Sequence, residues 1–245
     1  MAHPPWHLSG ELVVAWVARR PGRRTRLPVG VAPLPGPAVV VALSYADSPV
    51  GPFLELSVGE PARIGLRPGF CVTTCVVATP DSRVDYKMNW GVPAELGAMV
   101  WEVDGQARRL TWLDRGVVVE GRAHRWRVPA MVPGRSVQRR SDGVVVVPRR
   151  VRGWLGLGRA VVHAPEGDPL SWAEGGHPGG VMTGMRMVVS PARHPFGLLS
   201  TLRAPLQAPA PGGGLTASSL LGPRGAEAVV AAASVIAPRA YGSVG

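Results

Sequence analysis

The sequence predicts a mainly β (α+β) fold: one domain over residues 1–245, its antiparallel or mixed strands closed into a barrel, with few short helices. Three observations carry this reading. The chain has 32 glycines and 26 prolines in 245 residues, about a quarter of its length, which favours many short elements joined by turns. Short runs rich in β-branched residues recur from end to end. Helical periodicity is scarce. Closure follows because so many strands would otherwise leave unpaired edges.

In chain order the strand candidates begin with ELVVAWVA (11–18), AVVVALSY (38–45) and FLELSVG (53–59). FCVTTCVVA (70–78), AMVWEVD (98–104), ARRLTWL (107–113) and GVVVEGR (116–122) come next. DGVVVVP (142–148), GRAVVHA (158–164) and MRMVVS (185–190) complete the set. Alternation is clearest in 53–59. Phe53, Glu55 and Ser57 share one face there, and Leu54, Leu56 and Val58 the other. Asp104-Gly105 and Asp142-Gly143 are hairpin-turn signals. A helical period is best seen around Tyr86–Leu96, interrupted by Gly91 and Pro93. The run GAEAVVAAASVIA (225–237) fits strand or helix equally. APAPGGG (208–214) reads as a flexible loop or linker.

Composition narrows the function classes. Hydrophobic residues at 46% with 18% charged fit a folded chain, not a disordered one. The longest apolar runs, Ala38–Leu43 and Ala228–Ala237, fall short of a membrane-spanning helix. The start, MAHPPWHLSG, lacks a basic segment followed by an apolar one, so a cytoplasmic location is expected. The net charge is +11, but Lys87 is the only lysine among 27 basic residues, which looks like a GC-rich coding bias. Two arginine clusters remain. One holds Arg19, Arg20, Arg23, Arg24 and Arg26; the other runs from Arg135 to Arg152. They suit solvated loops, or phosphate and carboxylate partners. Aromatic residues are not interleaved with the first cluster, which argues against a nucleic-acid partner.

Cys71 and Cys75 share a strand face at a spacing too long for a disulfide, and are expected to pack as small apolar groups. The six histidines show no metal-ligand spacing, so neither metal nor cofactor is expected.

Residues 45–105 carry the most distinctive text. Ser48-Pro49-Val50-Gly51-Pro52-Phe53-Leu54-Glu55 gives a small-residue turn, a glycine, an aromatic and a glutamate. Asn89-Trp90-Gly91-Val92-Pro93-Ala94-Glu95-Leu96-Gly97 follows after another strand. Ordered in this way, and with a closing AASVIAPRA (232–240), the chain resembles the acetoacetate decarboxylase superfamily. The resemblance implies a cone-shaped, mainly β barrel, a small keto acid or other carbonyl or carboxylate ligand inside it, and a homo-oligomer. Glu55 becomes a candidate catalytic residue by it. Ser48, Phe53, Trp90 and Ala94 become candidate substrate contacts.

The same resemblance exposes a loss. Decarboxylating a β-keto acid needs an electron sink, which a lysine imine supplies once its amine is held neutral. The family's lysine should follow Pro93, where this chain has Ala94. The cation that would tune it falls at Glu95, of opposite charge. The family's N-terminal arginine falls near Ser9 or Gly10, and its strand glutamate falls in Val40–Ala42.

Lys87 is then either a surface or ion-paired lysine or a relocated imine-forming amine. Glu55 and Glu95 are either an acid–base pair or, for Glu95, a solvated helix residue. Trp90 and Trp101 line the pocket or fill the core. The leading reading is a protein of this fold that binds a small organic acid without imine chemistry. A lyase using Lys87 or the two glutamates is the alternative, and a basic polyanion-binding β protein a third.

Overall fold

The computed structural model describes residues 1–19 and 27–195. Arg20, Arg23, Arg24 and Arg26, the loop expected at 208–214, the run 225–237 and the closing strand around 232–240 lie outside the described residues. The elements begin with strands β1 (Trp6–Val17), β2 (Ala32–Pro33), β3 (Ala38–Asp47), β4 (Phe53–Ile64) and β5 (Arg67–Val77), then helix α1 (Pro80–Trp90). Strands β6 (Ala94–Leu96), β7 (Met99–Asp104), β8 (Ala107–Trp112) and β9 (Val117–Ala123) follow. Last come β10 (Val128–Arg140), β11 (Gly143–His163), a 3-10 turn at Ser171–Ala173, and β12 (Gly175–Val189).

These strands join in one mixed sheet, in the order β10-β5-β4-β3-β1-β12-β11-β9-β8-β7. Strand β10 also pairs β11, so the pairing runs round in a ring of seven strands. The ring closes where Ser136 of β10 meets Phe70 of β5 in parallel register. Every other pairing along the ring is antiparallel. Both Asp-Gly signals mark hairpins: Asp104 pairs with Ala107, and Arg140 with Gly143.

Two departures from the sequence pattern have physical causes. The runs 142–148 and 158–164 are the ends of one 21-residue strand, β11. Its first half pairs with β10 and its second with β9, while β12 accompanies it from Arg149 to Val162. The Arg/Gly/Trp text between the two runs contains no Asp-Gly breaker, and Pro148, though inside the strand, still offers its carbonyl to the Ser190 amide. Strand β10 escaped pattern reading because Pro129, Pro133 and Gly134 depress strand propensity. Among the described residues, 128–135 pair only with β11, and an edge segment of this kind tolerates proline.

Buried side chains gather in three clusters. The first holds Trp6, Phe53, Cys75, Tyr86, Trp90 and Ala94 among others, and the second Val13, Leu56, Val58 and Val76. The third includes Ala62, Ile64 and Cys71. Cys71 and Cys75 are both buried and free, but they do not share a face. A register shift at Val58/Gly59, opposite Val72–Thr74, turns Cys71 into the third cluster while Cys75 stays in the first.

Helix α1 is brief because both ends are specified. Thr79 caps the first turn, its Oγ1 accepting from the Ser82 amide at 3.4 Å, and Pro80 follows the cap. Gly91 ends it in the left-handed region (φ 70°), donating to the Lys87 carbonyl, while the Val92 amide reaches the Tyr86 carbonyl. A Cβ at Gly91 would lie 2.5 Å from the Arg139 carbonyl oxygen, so glycine is required twice over. The chain is thereby released into β6, whose Ala94 pairs in parallel with Cys75. Among the described residues no helix is long and apolar enough to cross a membrane.

Candidate functional site

The site is built around Glu55. Period-two alternation turns Phe53 and Glu55 toward the first cluster, and antiparallel pairing places Tyr45 opposite Phe53 and Leu43 opposite Glu55. From that diagonal position the Tyr45 hydroxyl donates to Glu55 Oε2 at 3.0 Å. From the buried face of α1 the Tyr86 hydroxyl donates to the same oxygen at 2.7 Å. The Cys75 thiol on β5 lies 4.0 Å from Oε1. Glu55 is 3% exposed, so its carboxyl is held by hydroxyls, and among the described residues no cation forms an ion pair with it.

Aromatic rings enclose this carboxyl. Tyr45 and Phe53 have centroids 4.6 Å apart, and Phe53 meets Tyr86 edge-on at 6.1 Å. Tyr86, Trp90 and Trp6 continue the series edge-to-face at 4.9–5.9 Å. Burial pushes both tyrosine hydroxyls well above their ordinary pKa of 10.0, and the Glu55 charge adds to it. The Cys75 thiol is raised above 9.0 for the same two reasons, so it is no nucleophile at neutral pH.

The candidates from the sequence divide cleanly. Phe53, Glu55, Trp90 and Ala94 come together in the first cluster. Trp90 fills that core, and its indole donates to the Ser190 carbonyl at 3.1 Å. Ala94 is fully buried where the resemblance places the family's lysine. Ser48 stays in the turn before β4, its Oγ accepting from the Val50 amide at 3.1 Å and bonding the Gly51 carbonyl. Lys87 is exposed on α1 while Tyr86 and Trp90 are buried, and the helix does not continue to Ala94. Glu95 is exposed, with Val76 of the second cluster as its strand partner, so it does not pair with Glu55. Trp101 packs, half-buried, against the second cluster.

Where the family's other polar residues were sought, a Cβ at Gly10 would lie 1.9 Å from the Ser44 carbonyl oxygen, whereas Ser9 lines a cleft. Val40 and Ala42 face the second cluster, and Val41 packs against the first. A different arginine faces the first cluster: Arg149 of β11. Val145 and Val147 belong to that cluster and Val151 packs against it, so alternation turns Arg149 the same way. Its partner across the ladder is Val189, whose own partner is Trp6, both in the same cluster. By composition Arg149 is one of several arginines between 135 and 152; its period-two spacing from Val145 and Val147 is the signal in the sequence that marks it as inward. Tyr86 could likewise have been found four residues before Trp90, on the same helix face.

Two clefts lie near these elements. One, of about 490 Å³, runs past Gly91, Pro93, Val72 and Thr73 to Arg139 and Arg140. Val72 also belongs to the first cluster, so this cleft reaches its edge. The other, of about 610 Å³, is a groove with Arg150, Arg152 and Arg186 on its wall. No group of three or more metal-ligating side chains is present among the described residues.

No family model matches this sequence, and no curated protein matches it. Solved structures do. The acetoacetate decarboxylase of Legionella pneumophila is 12% identical with a TM-score of 0.56, over 78% of this chain and 87% of that one. An acetoacetate decarboxylase-like enzyme from Sphingomonas wittichii RW1 is 14% identical with a TM-score of 0.59, over 78% and 93%. The enduracididine biosynthesis enzyme MppR, complexed with pyruvate, is 19% identical with a TM-score of 0.55, over 79% and 91%. This chain has the fold of acetoacetate decarboxylase and its structural relatives.

Proposed function

We propose that this protein binds a small oxo acid, or a related carbonyl or carboxylate compound, against the Glu55–Tyr45–Tyr86 cluster, without imine-dependent decarboxylation. The observation that carries the reading is the cluster itself: a buried carboxyl bonded to two tyrosine hydroxyls inside an aromatic enclosure that also holds Ala94. A buried polar group of this kind is costly unless it serves the fold or a ligand, and a ligand carbonyl oxygen would take over a tyrosine proton that Glu55 Oε2 now accepts. The cleft beside Gly91, Pro93 and Val72 gives such a compound a path to the cluster's edge. MppR holding pyruvate in the same fold favours this ligand size.

An alanine methyl forms no imine, and Lys87 is exposed on α1 while the cluster is buried. The test is reduction with a mild hydride donor in the presence of acetoacetate or pyruvate, followed by peptide mapping. No internal adduct is expected, while calorimetry shows binding that Glu55→Gln weakens. An adduct at Lys87 would instead establish an imine enzyme with a relocated amine. Ala94→Lys alone is expected not to restore decarboxylation, because Glu55, buried beside the same cluster, favours the charged amine. Robust turnover of acetoacetate by that variant would refute this account of what was lost.

A further inference from the structure

We propose that Arg149 is the anchor for the ligand's carboxylate, which makes the site one for small oxo acid anions and not for neutral carbonyl compounds. This rests on the reading above and adds to it the half of the ligand that the tyrosines and Glu55 do not recognise.

Arg149 has bonding capacity that no described residue meets. The Arg149 Nε is buried and has no hydrogen-bond partner among the described residues. Its guanidinium forms no ion pair there, unlike Arg19, Arg108, Arg109, Arg115 and Arg140, each of which has a carboxylate. A guanidinium that helps only to hold a fold is ordinarily satisfied by carbonyl or carboxylate oxygens. This one faces a cluster containing a carboxyl group, yet it and Glu55 do not pair. Its charge nevertheless reaches that neighbourhood, lowering the pKa of both Tyr45 and Cys75 against the burial that raises them.

The backbone holds it firmly in place. The Pro148 carbonyl accepts from the Ser190 amide at 2.9 Å, and the Ser190 carbonyl accepts from the Trp90 indole. The strand carrying Arg149 is thus tied to the aromatic enclosure on α1. A planar guanidinium with a buried, unpartnered Nε beside the Glu55–tyrosine cluster matches the carboxylate end of a short oxo acid.

Calorimetric titration with pyruvate and with hydroxyacetone, its neutral counterpart, tests this on the wild type, Arg149→Gln and Arg149→Lys. The expected result is that pyruvate binding weakens at least about 30-fold in Arg149→Gln and partly recovers in Arg149→Lys. Hydroxyacetone affinity should change less than about 3-fold, because it has no charge for the arginine to meet. Thermal unfolding without ligand supplies a second readout. Arg149→Gln should melt at the same temperature or higher, since it removes an unpaired, partly buried charge.

Equal pyruvate affinity in wild type and Arg149→Gln overturns the proposal and leaves the Glu55 reading intact, as does a large drop in melting temperature, which would mark a structural arginine. Failure of the wild type to bind either compound defeats both.

Discussion

Strand β4 carries two buried glutamates five residues apart, and they are held in opposite ways. Glu60 is fully buried with Arg19 Nε at 3.0 Å; that guanidinium also donates to the Leu34 and Pro61 carbonyls. Glu55 is almost as buried, yet its partners are two hydroxyls and a distant thiol. The register shift at Val58/Gly59 separates them, sending Glu55 to the aromatic cluster and Glu60 toward Cys71, its partner on β5. A buried carboxyl matched by a cation is part of the scaffold. One matched only by neutral donors keeps its electrostatic demand, and that demand is what a ligand can meet.

The sharpest way to break this contrast is at Arg19. Arg19→Met leaves the Glu60 carboxyl buried without that cation and should cost about 3 kcal/mol in urea unfolding. A loss below about 1 kcal/mol would erase the distinction between the two glutamates. Glu55→Leu is expected to cost less, about 2 kcal/mol, because it strands two buried hydroxyls instead of a charge. Glu55→Gln retains an acceptor oxygen and should cost under about 1 kcal/mol while still weakening ligand binding.

Much of this was legible in the text of the chain. The alternation of FLELSVG put Glu55 and Phe53 on one face, but the helical period expected around Tyr86–Leu96 is displaced: α1 runs from Pro80 to Trp90, and Ala94–Leu96 is a strand. Legibility failed where the signal was tertiary. Arg149 is one arginine among many by composition, and only the long β11 ladder shows that it follows Val145 and Val147 inward. Lys87 and Ala94 are seven residues apart, a spacing that an uninterrupted helix would have placed on one face. The left-handed Gly91 cancels that relation. Cys71 and Cys75 were separated by a bulge that strict alternation has no means to anticipate.

Alkaline unfolding sharpens the comparison further, because tyrosines belong to only one of the two glutamate environments. Tyr45 and Tyr86 have folded pKa values raised above their ordinary 10.0. Their stabilising effect is whole below pH 10 and is lost as pH rises from there toward the folded values, since the unfolded chain releases those protons first. Each contributes a slope of about 1.4 kcal/mol per pH unit above pH 10. Tyr86→Phe should flatten the stability curve by one such increment. Cys71, pushed up to about 12 by burial and the Glu60 charge, adds the same slope from pH 9 to 12 on the other side of the bulge. Cys71→Ser should remove that portion alone. If Tyr86→Phe leaves the curve above pH 10 unchanged, the hydroxyl is not held protonated by burial beside Glu55.

The smallest expected effect belongs to Lys87, and its smallness is informative. The side chain is exposed on α1, one residue beyond Tyr86, and its backbone carbonyl, not its amine, serves the helix cap at Gly91. Lys87→Met should therefore shift stability by less than about 0.5 kcal/mol and leave pyruvate affinity unchanged. The substitution preserves the carbonyl and the helix propensity, so any larger change must come from the amine itself. A marked loss of binding would mean that the amine reaches the ligand after all, and the proposed division between a ligand-binding Glu55 cluster and an inert outer face of α1 would have to be redrawn.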